Sequence, residues 1–255
     1  MKIAITGKGG VGKTTLSSTL ARLYAEDGRP VLAADVDPDA NLGLALSFTE
    51  DEVNAITPIA KMSDLIAERT GADKTNSGLF FKINPRVDDI PERFAKEKNG
   101  VKLLVMGTVD TGGGGCVCPE HVILKRVISH LVLGTDDVVI LDMEAGLEHL
   151  GRGTASMVDM FIVVVEPGAR SVQTYGHIKK LAADLGVSQV RVVGNKIRSP
   201  EDETFLRDKI PKEDLLGLIR YDEGAAEADR EGISPYDNSE SVRDDVRKIK
   251  EKIEG

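Results

Sequence analysis

The chain has 255 residues, and its 33 Lys and Arg against 42 Asp and Glu give a formal net charge of −9 with His neutral. Its 41% hydrophobic content is typical of a globular protein and excludes a disordered one. No apolar run approaches the ~18–20 residues of a membrane span, and no signal-peptide core is present. The acidic balance disfavours a broad DNA-binding surface, and two cysteines exclude a disulfide scaffold. We therefore expect a cytoplasmic protein without nucleic-acid or membrane partners.

Short apolar runs alternate with segments of helical period along the chain. The predicted strands are Lys2–Thr6, Val31–Ala34, Lys102–Met106, Val138–Leu141, Met160–Val165, Val190–Gly194 and Leu215–Ile219. The predicted helices are Lys13–Glu26, Ile59–Thr70, Glu120–Leu133, Val172–Leu185 and Glu201–Lys209. Continuous apolar strands such as Val138–Leu141 are typical of strands covered on both faces. The order predicts an α/β fold, a single doubly wound, mostly parallel sheet with helices on both faces, in one domain over 1–255.

Two segments are less regular or open to two interpretations. Within Ser47–Gly100, the polar stretch Asp88–Asn99 is expected at the surface. Segment Ser239–Ile253 has apolar residues at helical spacing, which fits either a membrane-surface anchor or a helix docked on the sheet. Its mixed charges and lack of aromatic residues favour docking.

A glycine-rich motif follows the first predicted strand. Segment Gly7–Thr14 reads G-x-x-x-x-G-K-T between a strand and a helix, which is the context of a Walker A phosphate-binding loop. Its glycines allow consecutive backbone N–H groups to face phosphates at the positive end of a helix dipole. Lys13 is expected to reach the β- and γ-phosphates of ATP or ADP, and the Thr14 hydroxyl to bind Mg²⁺. The expected nucleotide contacts in this loop are Gly9, Gly10, Val11, Gly12, Lys13, Thr14 and Thr15.

The loop contains a second lysine, Lys8. With it, G-K-G-G-V-G-K-T resembles the deviant Walker A loop of the MinD, ParA and nitrogenase iron-protein ATPases. The resemblance implies a homodimer in which Lys8 reaches the phosphates of the partner protomer. A cation supplied in this way stabilises transition-state charge as an arginine finger does.

Other segments resemble further parts of the same family. The sequence D-V-D-P-D-A-N after the second predicted strand resembles its first switch, which implies that Asp37 positions or deprotonates the attacking water, supported by Asp35 and Asn41. Asp142, at the end of the fourth predicted strand, resembles the Walker B carboxylate that holds Mg²⁺ through water. Gly146 matches the second-switch glycine whose N–H senses the γ-phosphate.

The base site is implied in the same way. Asn195 and Lys196 resemble the family's adenine-reading position, with the Asn amide on the base edge. Relatives often have Ile-Pro after the last strand, near the adenine. Here Ile219 is followed by Arg220 and Tyr221, so the sequence departs from the family pattern at this point.

Both cysteines lie in the segment 112–119, which reads G-G-G-G-C-V-C-P. Pro119 suits a first helical turn, which places Cys118 near a helix N-terminus where the dipole favours the thiolate. Because a disulfide between Cys116 and Cys118 would close a small, strained ring, the spacing favours a metal site or a reactive dithiol over a disulfide, and a chance pair of buried cysteines is the alternative. A tetrahedral site takes four soft ligands, which two chains meeting at a two-fold axis would supply as Cys₄.

The cysteine segment G-G-C-V-C-P-E-H, with segments 142–150 and 151–155, resembles the CooC-type accessory ATPases of carbon monoxide dehydrogenase. The likeness runs from Met1 through the final helix. It implies a nucleotide-controlled homodimer that hydrolyses ATP and assists nickel insertion into the Ni–Fe–S cluster of that dehydrogenase or a related client enzyme. It also implies that Cys116 and Cys118 bind Ni²⁺ (or Zn²⁺) at a Cys₄ site shared between two chains.

Three other functions fit parts of this pattern. A MinD/ParA-like positioning ATPase would need a basic DNA-facing surface or a membrane helix, and neither is evident in the sequence. An iron–sulfur redox or assembly ATPase would use the same cysteines for a bridging cluster, and a metal store would bind nucleotide without turnover. Fold-level likeness does not choose among them, because P-loop scaffolds host many functions.

Overall fold

A computed structural model of the chain describes residues 1–37, 40–72, 81–107, 119–134, 137–144, 158–187 and 189–255. The strands are β1 (Lys2–Gly7), β2 (Val31–Asp35), β3 (Lys96–Lys98), β4 (Val101–Val105), β5 (Val138–Asp142), β6 (Met160–Val165), β7 (Val190–Ile197) and β8 (Leu215–Arg220). The helices are α1 (Lys13–Glu26), α2 (Leu42–Ala45), α3 (Glu50–Asn54), a 3₁₀ turn (Ile59–Lys61), α4 (Ser63–Thr70), α5 (Ile90–Phe94), α6 (Pro119–Gly134), α7 (Ala169–Asp184), α8 (Pro200–Lys209), α9 (Glu223–Glu231), α10 (Pro235–Asn238) and α11 (Glu240–Glu254).

The described strands form one eight-stranded sheet in the order β3-β4-β2-β5-β1-β6-β7-β8. All neighbouring pairs are parallel except β3 with β4. The chain winds outward from β1 in both directions, so the loop after β1 lies at the switch point where α/β sheets bind ligands. The predicted doubly wound, mostly parallel sheet is confirmed.

Successive side chains of the central strands pack into cores on opposite faces of the sheet. In β6, Phe161 and Val163 belong to one core and Ile162 and Val164 to the other, and all four are buried. Helices α6, α7 and α8 contribute to the first core, and α1 and α11 to the second. The continuous apolar strands are therefore covered on both faces, as the sequence predicts.

The C-terminal helix packs on the sheet. Ser239 caps its N-terminus by accepting a hydrogen bond from the backbone N–H of Val242. Val242, Val246 and Ile249 are buried, and a Cβ on Gly217 of β8 would lie 2.5 Å from Ile249 Cγ1. The prediction of docking is confirmed. No helix in the described part of the chain is both long and apolar enough to span a membrane.

One predicted helix and one polar stretch are more divided in the structure than the sequence indicates. The predicted helix Ile59–Thr70 is interrupted at Met62, whose φ of −83° and ψ of 70° end a 3₁₀ turn before α4 begins. The polar stretch Asp88–Asn99 lies at the surface as expected, except for the buried Ile90, but it contains both α5 and the edge strand β3. Strand β3 lacks an apolar pattern because it lies at the sheet edge, and its hairpin turns at an Asn-Gly pair with positive φ angles of 51° and 77°.

Candidate functional site

The loop between β1 and α1 requires glycine at particular positions. Gly10 and Gly12 have φ angles of 76° and 93°, in the left-handed region that disfavours other residues. A Cβ on Gly12 would lie 2.1 Å from Asn195 Nδ2, and one on Gly7 would lie 2.6 Å from the Val164 carbonyl oxygen. No side chain caps the N-terminus of α1, and its first turn contains no acidic residue. The loop and helix end can therefore present backbone N–H groups to an anion.

The Walker lysine is paired with the first-switch aspartate. Lys13 Nζ lies 3.5 Å from Asp37 Oδ2, and the lysine is only 7% exposed. The structure thus brings together two residues that the sequence predicts to be catalytic. In this arrangement the Asp37 carboxylate pairs with the Lys13 amine. Phosphate oxygens of a bound nucleotide would contact the same amine.

Two hydroxyl groups of α1 bind the carboxylate at the end of β5. Thr14 Oγ1 donates to Asp142 Oδ2 at 2.8 Å, and Ser17 Oγ donates to Asp142 Oδ1 at 3.0 Å. Asp142 is 1% exposed, and burial raises its pKa to about 6 although both hydroxyl groups lower it. Carboxylate and hydroxyl oxygens are the hard ligands that Mg²⁺ prefers, so this donor set fits the predicted magnesium site.

Ser17 was not identified from the sequence. Its position three residues after Thr14, on the same helix face, is the signal that could have found it. We expect Ser17→Ala to raise the Mg²⁺ concentration needed for half-maximal ATP hydrolysis about 3- to 10-fold, because one oxygen of Asp142 loses its hydrogen bond and the carboxylate is less firmly held. A magnesium titration of the ATPase rate checks this.

The matched control for this variant is Ser18→Ala. Ser18 is equally buried on the same helix, but its hydroxyl donates to the Thr15 carbonyl and not to Asp142. An equal magnesium shift in both variants would contradict the role of Ser17.

Asp35, at the end of β2, is a second buried carboxyl beside Asp142, its register partner on β5. Asp35 is 1% exposed, and burial together with the Asp142 charge raises its pKa to about 8. Its oxygens accept hydrogen bonds from the backbone N–H groups of Leu42 (3.0 Å) and Asp37 (3.3 Å). Asp35 therefore accepts one hydrogen bond from within the predicted first switch and one from the residue that follows it, and its supporting role in the site stays a prediction.

The raised pKa of Asp35 predicts a pH-dependent stability. Between its ordinary pKa of 3.8 and its folded value of about 8, the folded chain holds a proton that the unfolded chain has lost. The free energy of unfolding of the ligand-free protein should therefore fall as pH rises through 6 to 8, by at most about 1.4 kcal/mol per pH unit for this group. Asp35→Asn should flatten this slope in urea titrations, whereas Asp51→Asn, an exposed change on α3, should not. Parallel slopes for wild type and Asp35→Asn would contradict it.

The end of β7 contacts the phosphate-binding loop. Asn195 is 6% exposed; its Nδ2 donates to the Val11 carbonyl oxygen at 2.8 Å, and its Oδ1 accepts from the Lys196 N–H. Lys196 Nζ donates to the Gly10 carbonyl oxygen at 2.5 Å and lies 2.7 Å from Glu166 Oε1. The contacts of Asn195 are thus with the loop, and its base-reading role stays a prediction. The sequence placed Lys196 beside Asn195 at the base and did not predict its contact with the loop, and Glu166 was not among the predicted site residues.

At the end of β8, Arg220, which stands where relatives often have proline, and the next residue, Tyr221, have partners within the chain. Arg220 forms a two-pronged ion pair with Asp245 of α11, at 2.8 and 3.0 Å. The Arg198 guanidinium lies 3.4 Å from the centre of the Tyr221 ring. These contacts fix the strand end beside the predicted base site.

The remaining predicted residues differ in exposure, and some lie outside the described residues. Lys8 and Gly9 are exposed, whereas Val11 is buried and Thr15 half-buried. Cys116, Cys118 and Gly146 lie outside the described residues. Within the described ranges, no group of three or more His, Cys, Asp and Glu side chains is arranged to hold a metal ion.

The fold and this loop define a P-loop nucleotide-binding protein, and comparisons with known proteins agree. Residues 2–236 match the CobQ/CobB/MinD/ParA nucleotide-binding domain family. The chain is 48% identical to the carbon monoxide dehydrogenase accessory protein CooC of Rhodospirillum rubrum, covering 96% of this chain and 92% of that protein. It is 45% identical to the ATP-binding protein MJ0823 of Methanocaldococcus jannaschii, covering 98% and 96%.

Solved structures show the same fold. The septum site-determining protein MinD of Pyrococcus horikoshii, complexed with Mg-ADP, has a TM-score of 0.67 at 24% identity, covering 99% of this chain and 95% of that one. A chain of the MinC:MinD cell division protein complex of Aquifex aeolicus has a TM-score of 0.68 at 19% identity, covering 100% and 96%. The chain belongs to the CobQ/CobB/MinD/ParA family and is an ATPase of the CooC type.

Proposed function

We propose that this ATPase works as a nucleotide-controlled homodimer that assists the insertion of nickel into the Ni–Fe–S cluster of carbon monoxide dehydrogenase or a related enzyme. The proposed client enzyme is supported by the 48% identity, over 96% of the chain, to a protein named as an accessory of that dehydrogenase. The proposed ATP hydrolysis is supported by the geometry of the P-loop. Nickel is the cargo in this proposal, and ATP hydrolysis controls the dimer that holds it.

ATP binding uses the loop 7–14 and the end of α1. The triphosphate lies against the backbone N–H groups there, and Lys13 contacts the β- and γ-phosphates. Thr14, and Asp142 through water, would hold Mg²⁺, which would neutralise the charge that develops on the phosphates. The Thr14 hydroxyl would bind the metal through an oxygen lone pair and can keep its hydrogen bond to one oxygen of Asp142, while Ser17 holds the other carboxylate oxygen.

Asp37 acts after the ion pair with Lys13 opens. Phosphate oxygens compete for the Lys13 amine, so ATP binding releases the Asp37 carboxylate, which lies 3.5 Å away in the ligand-free chain. Asp37 then orients the attacking water or accepts its proton. Lys8 from the partner protomer completes the phosphate site, which makes hydrolysis depend on dimerisation.

The dimer is proposed to form the cargo site. Cys116 and Cys118 from each of two protomers supply four thiolates around one Ni²⁺ or Zn²⁺, and separation of the protomers leaves two-thiolate half-sites that release the metal. Thiolates bind Zn²⁺ and Cu⁺ at least as well as Ni²⁺, so selection of nickel depends on the client complex and metal supply.

Cysteine substitution tests the cargo site. The double variant Cys116→Ala and Cys118→Ala should lose stoichiometric Ni²⁺ binding, measured by metal analysis after anaerobic gel filtration, while its ATP affinity changes less than about 2-fold, because the cysteines lie outside the P-loop. The control is His121→Ala, which removes an exposed potential ligand on α6 beside the segment.

Two results would contradict the cargo proposal. One is a metal bound per dimer that persists in the double cysteine variant. The other is a brown, iron-containing protein after anaerobic purification, which would favour a bridging iron–sulfur cluster at the same cysteines.

A further inference from the structure

A lysine and a glutamate outside the Walker motifs contact the phosphate-binding loop from the sheet. Lys196 Nζ lies 2.5 Å from the Gly10 carbonyl oxygen and 2.7 Å from Glu166 Oε1. Glu166 directly follows β6, and Lys196 lies near the end of the neighbouring β7. One amine therefore joins the ends of two adjacent strands to the loop that follows β1.

The contact determines the direction of a peptide group. In a trans peptide the C=O and N–H point in opposite directions. Lys196 holds the carbonyl of Gly10 toward β7, and Asn195 holds the carbonyl of Val11 to the same side at 2.8 Å. The N–H groups of Val11 and Gly12, which belong to these two peptides, therefore point away from β7. The Val11 N–H donates to the Lys8 carbonyl oxygen at 3.4 Å and so closes a turn within the loop.

The backbone of Lys196 is itself unusual. Its φ of 59° lies in the left-handed region, which only a few non-glycine residues adopt, and among the described residues it shares this with only Ser47 and Asn99. The register of β7 with β8 shifts between Gly194 and Ile197, so a bulge accompanies this conformation. Bulges re-aim side chains next to functional sites, and strained backbone persists where it serves a role.

Glu166 neutralises the Lys196 amine and holds it in position. Its carboxylate balances Lys196, and its own backbone N–H donates to Ser171 Oγ of α7 at 3.0 Å, which fixes the segment after β6. Both side chains of the pair are partly exposed, at 42% and 38%. A nucleotide can therefore bind beside them without first burying an unpaired charge.

We propose that Lys196, held by Glu166, is a positioning residue that fixes the Gly10–Val11 peptide, and with it the turn closed by the Val11–Lys8 hydrogen bond, so that the P-loop keeps the conformation that binds the phosphates of the nucleotide. Its effect is on phosphate binding, not on the nucleoside. The inference concerns the ATPase site and is independent of the proposed nickel role.

Two substitutions and one probe ligand separate this role from its alternatives. Lys196→Met keeps the side-chain length but removes the amine, and should weaken Mg-dependent binding of both ATP and inorganic tripolyphosphate about 5- to 10-fold by calorimetry. Lys196→Arg, which restores a donor, should recover most of this loss. Glu166→Gln should also weaken tripolyphosphate binding, by about 2- to 4-fold, because the amine loses its anchor.

Whether Glu166→Gln weakens or strengthens tripolyphosphate binding decides between a positioning role for Lys196 and a simple cation. If Lys196 acted as a simple cation for the phosphates, removing the neighbouring negative charge would strengthen tripolyphosphate binding. Stronger binding in Glu166→Gln would overturn the proposal, and so would a Lys196→Met variant that binds ATP more weakly but tripolyphosphate as the wild type does.

A second ion pair in the chain provides the control. Lys98 Nζ lies 2.5 Å from Glu52 Oε2 beside β3, at the far edge of the sheet. Lys98→Met and Glu52→Gln should leave both affinities unchanged. Thermal unfolding of all variants within a few degrees of the wild type establishes that the differences arise in the folded site. A loss of tripolyphosphate affinity in the Lys98 variant equal to that of Lys196→Met would also overturn the proposal.

Discussion

Asp37→Asn should lower the rate of ATP hydrolysis by about 10²- to 10⁴-fold, which is the contribution of a positioned general base. ATP binding should become tighter in the same variant, because the ligand-free protein no longer pairs Lys13 with a carboxylate at 3.5 Å. The hydrolysis rate should thus fall while the affinity for ATP rises. The reason is that the carboxylate competes with phosphate for Lys13 before ATP binds and assists the attacking water afterwards. Single-turnover hydrolysis and equilibrium ATP binding measure them separately.

The control for Asp37→Asn is Asp27→Asn. Asp27 also pairs with a largely buried lysine, Lys250, at 2.5 Å, but at the far end of α1. This change should leave both ATP parameters near wild type. An Asp37→Asn protein that hydrolyses ATP at the wild-type rate would show that another group positions the water.

Lys8→Ala should lower hydrolysis by about 10³-fold or more, as expected for a cation that reaches the transition state from a partner. Lys8 is exposed in the single chain, and no salt bridge joins it to the described residues. The variant should also fail to form an ATP-dependent dimer in light scattering. Lys102→Ala, which removes an exposed lysine of β4, should have neither effect.

A mixing experiment tests whether Lys8 acts from the partner. The Lys8→Ala protomer keeps its own Lys13 and Asp37, and an Asp37→Asn protomer keeps its Lys8. A mixed dimer then contains a competent site, so combining the two inactive variants should restore hydrolysis. If the mixture stays as inactive as its components, Lys8 acts within its own chain or has no role in the reaction.

The sequence is sufficient to predict the parts of the fold that depend on local pattern. The strand Met160–Val165 and the helix Lys13–Glu26 have the predicted bounds, because a continuous apolar run and a helical period are properties of short segments. The P-loop is equally local, since its glycines and Lys13 lie in one motif. Strand β3 could not be predicted in this way, because it is formed by pairing with β4 and carries only charged residues.

Site contacts that join distant segments were predicted only in part. Asp142 was placed at its strand end, but its hydrogen bond from Ser17 joins residues far apart in the sequence and depends on how α1 packs on the sheet. Lys196 reaches Gly10 only because a bulge and a left-handed backbone turn its side chain toward the loop. The sequence shows which amino-acid types can bind phosphate. It does not show contacts of this kind, because they depend on the three-dimensional fold.

The most direct test of the central claim is the anaerobic measurement of molecular mass and bound nickel on the same sample, without nucleotide, with ADP and with ATP. A nucleotide should shift the protein from one chain to two, and nickel should bind at about one ion per two chains in that state. A protein that stays a single chain with every ligand, or that binds nickel to the same extent with and without nucleotide, would contradict it.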